Sequence, residues 1–164
     1  MNEIYKSAEA ERLVREKYGE VLKAWPTPNR QFTVSTRVGE TFIVACGRNE
    51  APPVLLFHGS QANSSVYMFD SLVWSEHFRL YAVDMIGEPG FSAPARPPLD
   101  SDAHALWLDD VMGALALDKA MIVGMSLGGW LALDYAARRP ERVARLALLC
   151  PAGIGRQKNF LLKA

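Results

Sequence analysis

The sequence predicts an α/β fold in which a mostly parallel, doubly wound sheet carries helices on both faces. From about residue 54 onward, short apolar segments alternate with helical segments in the order strand, helix, strand, helix, strand, helix, strand. Short loops join these segments, as is typical of a parallel sheet. Loops rich in glycine and polar residues follow three of the strands, at the sheet edge where sites form in this fold class.

Composition limits the function classes. The chain has 164 residues, of which 49% are hydrophobic and 22% charged, so it is long and apolar enough for one globular domain with a core. Its formal net charge of zero indicates neither a nucleic acid nor an anionic membrane surface as a partner. No apolar run is long enough to span a bilayer. The first residues lack the basic start and apolar block of a signal peptide, which predicts a cytoplasmic protein.

The two cysteines show no spacing typical of a metal site. Cys46 and Cys150 are far apart in sequence, and in a cytoplasmic protein we expect both to be buried free thiols.

The N-terminal third predicts a helix followed by a hairpin. Residues 7–25 have an amphipathic pattern with Ser7 as the N-cap, and their apolar face is formed by Leu13, Val14, Tyr18, Val21, Leu22 and Trp25. We interpret this helix as one that packs on the domain rather than one that binds a partner. Residues 32–36 and 41–46 are rich in β-branched and aromatic residues and flank a turn at 37–40, which predicts two paired strands.

The remaining elements follow the alternating pattern. Strands are predicted at 54–57, 78–83, 121–123 and 143–149. Helices are predicted at about 65–74, at 100–115 with Asp100 or Ser101 as the cap, and from the 124–128 turn to Arg138 and Arg139, where Pro140 stops the last helix.

Residues 124–128 match the pattern G-x-S-x-G, with Ser126 at its centre. A strand precedes this turn and a helix follows it, which is the context of a nucleophile elbow. The helix N-terminus there offers free N–H groups where an anion would develop. Two alternatives remain: a glycine-rich turn with an ordinary serine N-cap, and a dinucleotide-binding turn. The second ranks lower because G-x-G-x-x-G is absent.

A serine hydroxyl needs a base to become a nucleophile, and the resulting oxyanion needs hydrogen-bond donors. The backbone N–H of Leu127 is one candidate donor. The loop after the 54–57 strand should provide the second, for which the N–H of Ser60 is our first choice and that of Gln61 our second.

The three histidines and one loop carboxylate are given structural or surface roles. We interpret His58 as a structural imidazole that braces the candidate oxyanion loop, rather than as a catalytic base. His77 and His104 are predicted to be solvated surface residues, and Glu88 a solvated loop carboxylate.

Three motifs together carry a resemblance to a known family: His58-Gly59, the loop at residues 84–92, and residues 124–129. In this order they resemble the α/β-hydrolase fold superfamily, in particular its small bacterial esterase-like members, which include carboxylesterases, enol-lactonases and carbon–carbon bond hydrolases. The resemblance covers about residues 32–155. One departure is an extra residue in the 84–92 loop, where Glu88-Pro89 stands in place of one residue.

The resemblance implies roles for individual residues. Ser126 would be the nucleophile, and the backbone N–H groups of Ser60 and Leu127 would form the oxyanion hole. Four residues would be structural at the site: His58, Gly59, Gly124 and Gly128. The substrate would be a small-molecule ester, with no metal or organic cofactor. Haloalkane dehalogenases and epoxide hydrolases place Asp where Ser126 stands, which argues against those two chemistries.

In the family the nucleophile is followed along the chain by an acid and then a histidine. After Cys150 this sequence has no Asp, Glu or His. We therefore expect an α/β-hydrolase-like fold truncated after the sixth strand: an N-terminal helix and linker at 1–30, an incomplete core at 31–155 and the start of a lid segment at 156–164.

Such a chain would be an inactive fragment of a serine hydrolase. The alternative is a complete, non-catalytic binding or interaction module that keeps the half-fold. A cofactor-free perhydrolase or haloperoxidase shares the triad and stays open too. An apolar strand at an open sheet edge invites association, so we expect pairing with a second copy or with the missing C-terminal part.

Overall fold

The computed structural model describes residues 4–154, which form a six-stranded sheet with helices on both faces. The strands, in chain order, are β1 Asn29–Thr36, β2 Gly39–Cys46, β3 Pro53–Phe57, β4 Arg79–Val83, β5 Ala120–Met125 and β6 Val143–Leu149. Across the sheet they lie in the order β1-β2-β4-β3-β5-β6.

The sheet is mostly parallel, as predicted. Strands β3, β4, β5 and β6 pair in parallel, whereas β1 and β2 form an antiparallel hairpin and β2 pairs antiparallel with β4. The hairpin turns at Arg37 and Val38, where the sequence predicted it. The predicted fold class is confirmed.

Four α-helices connect or flank the strands: α1 Ala8–Lys23, α2 Ser71–Trp74, α3 Ala103–Ala114 and α4 Leu127–Arg138. Two 3₁₀ turns, Ser64–Tyr67 and Pro140–Arg142, complete the described elements. α4 ends where the sequence predicted, directly before Arg139 and Pro140.

The single helix predicted at 65–74 is wrong, because the segment forms the first 3₁₀ turn and then the short α2. Side chains there bind local backbone groups: Asn63 Oδ1 accepts from the N–H of Ser65, and Ser71 Oγ donates to the carbonyl of Met68. Such bonds compete with continuous helical hydrogen bonding.

Helix α3 begins at Ala103, later than the predicted residue 100. Asp102 is its N-cap residue, but the Asp102 side chain makes no capping hydrogen bond. The hydroxyl of Ser101 instead accepts from the N–H of Ala103 and donates to the carbonyl of Pro98, which holds the preceding residues in a turn.

Helix α1 starts as predicted, with the Ser7 hydroxyl accepting a hydrogen bond from the N–H of Ala10. The face that it buries is narrower than the predicted apolar face. Tyr18, Leu22 and Trp25 are buried, whereas the other three predicted members are exposed: Leu13, Val14 and Val21. The helix thus packs on the domain along one narrow stripe, and most of its surface faces solvent.

The sheet separates two apolar cores. One lies under α3 and α4 and includes Phe57, Trp107, Ile122, Leu131 and Tyr135. The other lies under α1 and the short turns and includes Tyr18, Leu22, Phe42, Leu56 and Leu80. Alternate residues of the central strands point to opposite cores, since successive side chains of a strand face opposite sides of a sheet.

Both cysteines are free, as predicted, but only Cys46 is buried. Cys150 is exposed directly after β6, so its predicted burial is wrong. No helix within residues 4–154 is both long and apolar enough to cross a membrane. The division of the chain at residue 30 stays a prediction, and the predicted lid segment at 156–164 lies outside the described residues.

Candidate functional site

Ser126 lies alone between the end of β5 at Met125 and the start of α4 at Leu127. Its backbone has φ 50° and ψ −112°, in a region that residues with a side chain rarely adopt. Such backbone strain costs of order 1–3 kcal/mol and persists only where the surrounding structure enforces it. It is concentrated at functional sites, and a strained serine between strand and helix is the hallmark of a nucleophile elbow.

Three hydrogen bonds hold this strained turn in place. The N–H of Ser126 donates to the carbonyl of Leu149 at the end of β6, at 2.9 Å. The carbonyl of Ser126 accepts from Trp130 at 3.0 Å and from Ala152 at 2.9 Å. The serine is therefore fixed both by its own helix and by the chain that leaves β6.

Close packing around the turn explains its glycines. A Cβ at Gly124 would overlap the carbonyl of Gly128, and a Cβ at Gly128 would overlap the carbonyl of Phe57. Helix α4 thus passes so close to β5 and β3 that neither position has room for a side chain. A Cβ built at Gly59 would lie 3.4 Å from the Cβ of Ser126, so the loop after β3 packs against the turn that carries Ser126.

His58 is buried at the end of β3, and both of its ring nitrogens have partners. Nδ1 lies 2.8 Å from the carbonyl of Gly59, while Nε2 accepts a hydrogen bond from the N–H of Met85 at 2.9 Å. These contacts correspond to the tautomer with hydrogen on Nδ1, and burial lowers the pKa of the ring. The carbonyl of His58 also accepts from Gly128 at 3.1 Å, so this residue joins three loops.

The loop after His58 contains both candidates for the second oxyanion donor. The N–H of Gln61 donates to Oε2 of Glu88, and Gln61 has a left-handed backbone with φ 58°. Among the described residues, neither the N–H of Ser60 nor that of Leu127 donates to another backbone group. Their donors are thus free for a ligand, whereas that of Gln61 is occupied.

Glu88 is not the solvated carboxylate that the sequence predicted. Only 8% of it is exposed, and besides the Gln61 N–H it lies 3.5 Å from the hydroxyl of Ser60. The predicted solvation is therefore wrong, because the carboxylate points inward and binds the candidate oxyanion loop.

Asp84 anchors the loop that carries Glu88. Its buried carboxylate accepts from the hydroxyl of Tyr18 at 2.8 Å, from the N–H and hydroxyl of Ser64, and from the N–H of Phe91. Ser92 bonds both the carbonyl of Asp84 and the N–H of Phe42. Burial raises the pKa of Tyr18, which keeps its hydroxyl a donor. The sequence did not predict that Tyr18 and Ser64 bind Asp84. Tyr18 is 66 positions from Asp84 and Ser64 is 20 positions from it, and no local pattern links residues so far apart.

The other two histidines differ from each other. His77 is exposed, as predicted. His104, in the first turn of α3, is only 8% exposed and packs edge-on against Trp130, with ring centroids 5.8 Å apart. Its predicted solvation is wrong, and burial lowers its pKa.

Within residues 4–154, no three His, Cys, Asp or Glu side chains are grouped so that they could hold a metal ion. The described site thus offers a half-buried serine hydroxyl at the start of α4 and two backbone N–H groups, those of Ser60 and Leu127, that have no backbone partner within residues 4–154.

Comparisons with known proteins agree with the α/β fold described above. The family model described as the alpha/beta hydrolase fold matches residues 52–163. An uncharacterized carboxylesterase, nap, and the carboxylesterase YbfK, both from Bacillus subtilis, are each 38% identical over 135 residues. These matches cover 82% of this chain but 45% and 46% of the relatives. The chain thus spans about half the length of these curated relatives.

Solved structures give the same picture. The crystal structure of carboxylesterase CesB (YbfK) from Bacillus subtilis matches with a TM-score of 0.83 at 36% identity, covering 88% of this chain and 51% of that one. The structure of naproxen esterase from the same species matches with a TM-score of 0.80 at 36% identity, covering 90% and 52%.

Proposed function

Because the chain belongs to the alpha/beta hydrolase fold family, we propose that Ser126 is the nucleophile of a serine hydrolase that acts on carboxylic esters. The observation that carries this proposal is the strained backbone of Ser126 between β5 and α4. Its carboxylesterase relatives favour esters over other acyl or carbon–carbon substrates.

The proposed reaction passes through an acyl-serine. The hydroxyl oxygen of Ser126 attacks the ester carbonyl, the alcohol leaves with a proton, and water then hydrolyses the acyl-enzyme. The N–H groups of Leu127 and Ser60 stabilise the oxyanion, a role that their lack of backbone partners supports. Gly59, Gly124 and Gly128 permit the close approach of the two loops, and His58 holds the loop after β3 through its buried ring.

Among the described residues, no histidine or carboxylate forms a hydrogen bond with the hydroxyl of Ser126, as the base of the proposed triad would. Both nitrogens of His58 are occupied, and Glu88 binds the Gln61 N–H. We therefore propose that the 164-residue chain by itself is a very poor hydrolase, since losing triad members removes several orders of magnitude in rate.

The decisive experiment is labelling of the full-length protein by a fluorophosphonate, together with turnover of 4-nitrophenyl acetate. Ser126→Ala should abolish labelling and lower kcat by at least about a thousandfold. A matched control, Ser65→Ala, removes a hydroxyl elsewhere on the same sheet edge and should retain both. Wild-type protein that folds but is not labelled would support the non-catalytic binding module instead.

The same turnover assay tests the inactivity of the isolated chain. We expect no Ser126-dependent turnover above that of Ser126→Ala. Robust turnover that Ser126→Ala abolishes would show that a residue within the chain supplies the base.

We also propose that the edge at β6 is a pairing surface, occupied by a second copy of the chain or by a C-terminal part of the protein. Among the described strands, β5 is the one that pairs with β6, and Leu149 is exposed at the end of β6. Size-exclusion chromatography of the isolated chain at low micromolar concentration tests pairing with a second copy, and a folded monomer there would contradict self-association. The cytoplasmic location stays a prediction.

A further inference from the structure

A cavity of about 210 Å³ lies beside Leu127, the residue directly after Ser126. Glu88 lines the same cavity and binds the N–H of Gln61. The cavity therefore borders the turn that carries Leu127, and Glu88 connects its wall to the loop after β3. A group attached to a carbonyl bound at Ser126 starts one residue from the wall formed by Leu127.

The walls of this cavity are mostly apolar. Met85, Ile86, Trp130 and Leu131 line it, and all four also belong to or pack against the core under α3 and α4. An apolar cavity of about 150 Å³ is large enough to bind benzene. The cavity beside Leu127 therefore has room for one aromatic ring with a small substituent.

Besides Glu88 and Arg96, a buried histidine interrupts these apolar walls. His104 lines the cavity and is 8% exposed, and its Nδ1 has no hydrogen-bond partner among the described residues. A buried polar atom without a partner is costly, so such atoms in native proteins usually bind a water or a ligand. Edge-on packing against Trp130 holds the ring in place.

The charge state of His104 selects the kind of ligand group that fits. Burial lowers its pKa, so the ring is neutral near pH 7, and Nδ1 either donates or accepts a hydrogen bond depending on the tautomer. A hydroxyl group satisfies either tautomer because it both donates and accepts. The cavity is also lined by one carboxylate, that of Glu88, and one guanidinium, that of Arg96, so its lining has no net charge that calls for a charged ligand group.

We propose that this cavity binds one substituent of the ester, an aromatic ring with a hydroxyl group that hydrogen-bonds to Nδ1 of His104. This proposal rests on the proposed function, because the pocket takes part in a reaction only if Ser126 is the nucleophile. Either side of the ester could supply the ring, because both the acyl group and the alcohol extend from the carbonyl bound at Ser126.

The test compares matched substrates on the full-length protein. For the acyl side, the pair is 4-nitrophenyl 4-hydroxyphenylacetate and 4-nitrophenyl phenylacetate. For the alcohol side, the pair is 4-hydroxybenzyl acetate and benzyl acetate. In one of the two pairs we expect kcat/KM to favour the hydroxylated ester by roughly three- to tenfold, the range of one neutral hydrogen bond.

His104→Phe keeps a ring of similar size and removes both nitrogens. It should erase this preference, so that the hydroxylated and unhydroxylated esters of the pair are hydrolysed with equal kcat/KM. His77→Phe, at an exposed histidine, is the matched control and should leave the preference unchanged. A preference that persists in His104→Phe, or no preference in either pair, would overturn the pocket.

A binding measurement separates the pocket from the chemistry. In Ser126→Ala protein, titration with 4-methylphenol should shift the ¹⁵N resonances of the His104 ring more than titration with toluene does. Equal shifts would overturn the proposal even if hydrolysis depends on Ser126. Shifts specific to 4-methylphenol would support it even if hydrolysis does not. If His104→Phe fails to fold, this titration decides the question.

Discussion

The two faces of the sheet differ in how completely they are covered. Helices α3 and α4 lie over one face, where Trp107, Leu131 and Tyr135 are fully buried. On the other face, α1 covers mainly the β2–β4 side, and an apolar groove of about 290 Å³ stays open over β5 and β6. We call these the covered face and the open face; the groove of the open face is lined by Val54, Trp74, Phe78, Leu80, Met121, Val123 and Leu146, among others.

This difference shows which part of the molecule supports the proposed nucleophile. Helix α4 belongs to the covered face, and its first residue follows Ser126. The elbow is therefore held by a close-packed layer, and the His104 cavity lies on that same face. The open face reaches the site through Tyr18 and Ser64, whose hydroxyls bind Asp84 below the loop that carries Glu88.

Two tryptophans test the contrast most strongly. Trp107→Ala should lower the free energy of unfolding by about 3–5 kcal/mol, because it opens a cavity in a close-packed core. It also leaves the hydroxyl of Thr41 without its donor at 2.8 Å. Trp74→Ala, at the half-buried wall of the groove, should cost only about 1 kcal/mol. Urea unfolding of the two variants measures both, and equal losses would mean that the faces are equally packed.

Two tyrosines of the open face test whether a hydrogen bond to the charged carboxylate of Asp84 stabilises the protein more than one to a neutral carbonyl. Tyr18→Phe removes a donor from the buried carboxylate of Asp84 and should cost about 1.5–3 kcal/mol. Tyr67→Phe removes a bond from its hydroxyl to the neutral carbonyl of Phe57 at 2.9 Å and should cost about 1 kcal/mol. Thermal and urea unfolding give the two values. A larger loss for Tyr67→Phe would contradict the anchoring role of Asp84.

The smallest expected effect concerns the exposed edge of the open face. Ala147→Lys places a charge on β6 at the groove, where Ala147 is exposed, so the free energy of unfolding should change by less than about 0.5 kcal/mol. Lysine on an edge strand discourages pairing, so self-association should weaken. Analytical ultracentrifugation of the isolated chain compares the two proteins. Unchanged association would place any self-pairing at another surface.

Patterns close together in sequence predicted the elements well. Ser7 caps α1, the hairpin turns at Arg37, and the G-x-S-x-G segment lies between β5 and α4, all as expected. These signals are local, because caps, turns and apolar periodicity depend on residues within a few positions of each other. The helix predicted at 65–74 failed for a local reason too: the side chains of Asn63 and Ser71 bind the backbone there.

The surroundings of polar side chains were predicted poorly. Glu88 and His104 were both expected in solvent, and both are buried. Burial of a loop carboxylate or of a helical histidine depends on which distant segment packs over it. Here the loop after β3 reaches Glu88, and the ring of Trp130 covers His104. No sequence pattern predicts these contacts between distant residues.

By itself the sequence determined the α/β class, the order of the strands along the chain and a serine in a strand–turn–helix segment. Only the tertiary structure decided the order of strands across the sheet, in which β3 and β5 are neighbours. The chain leaves β3 towards β4 and leaves β5 towards β6, in opposite directions, so a crevice forms between their carboxyl ends. Ser126 and the His58–Ser60 loop meet there because the pairing of β3 with β5 joins residues that are 67 positions apart in the sequence.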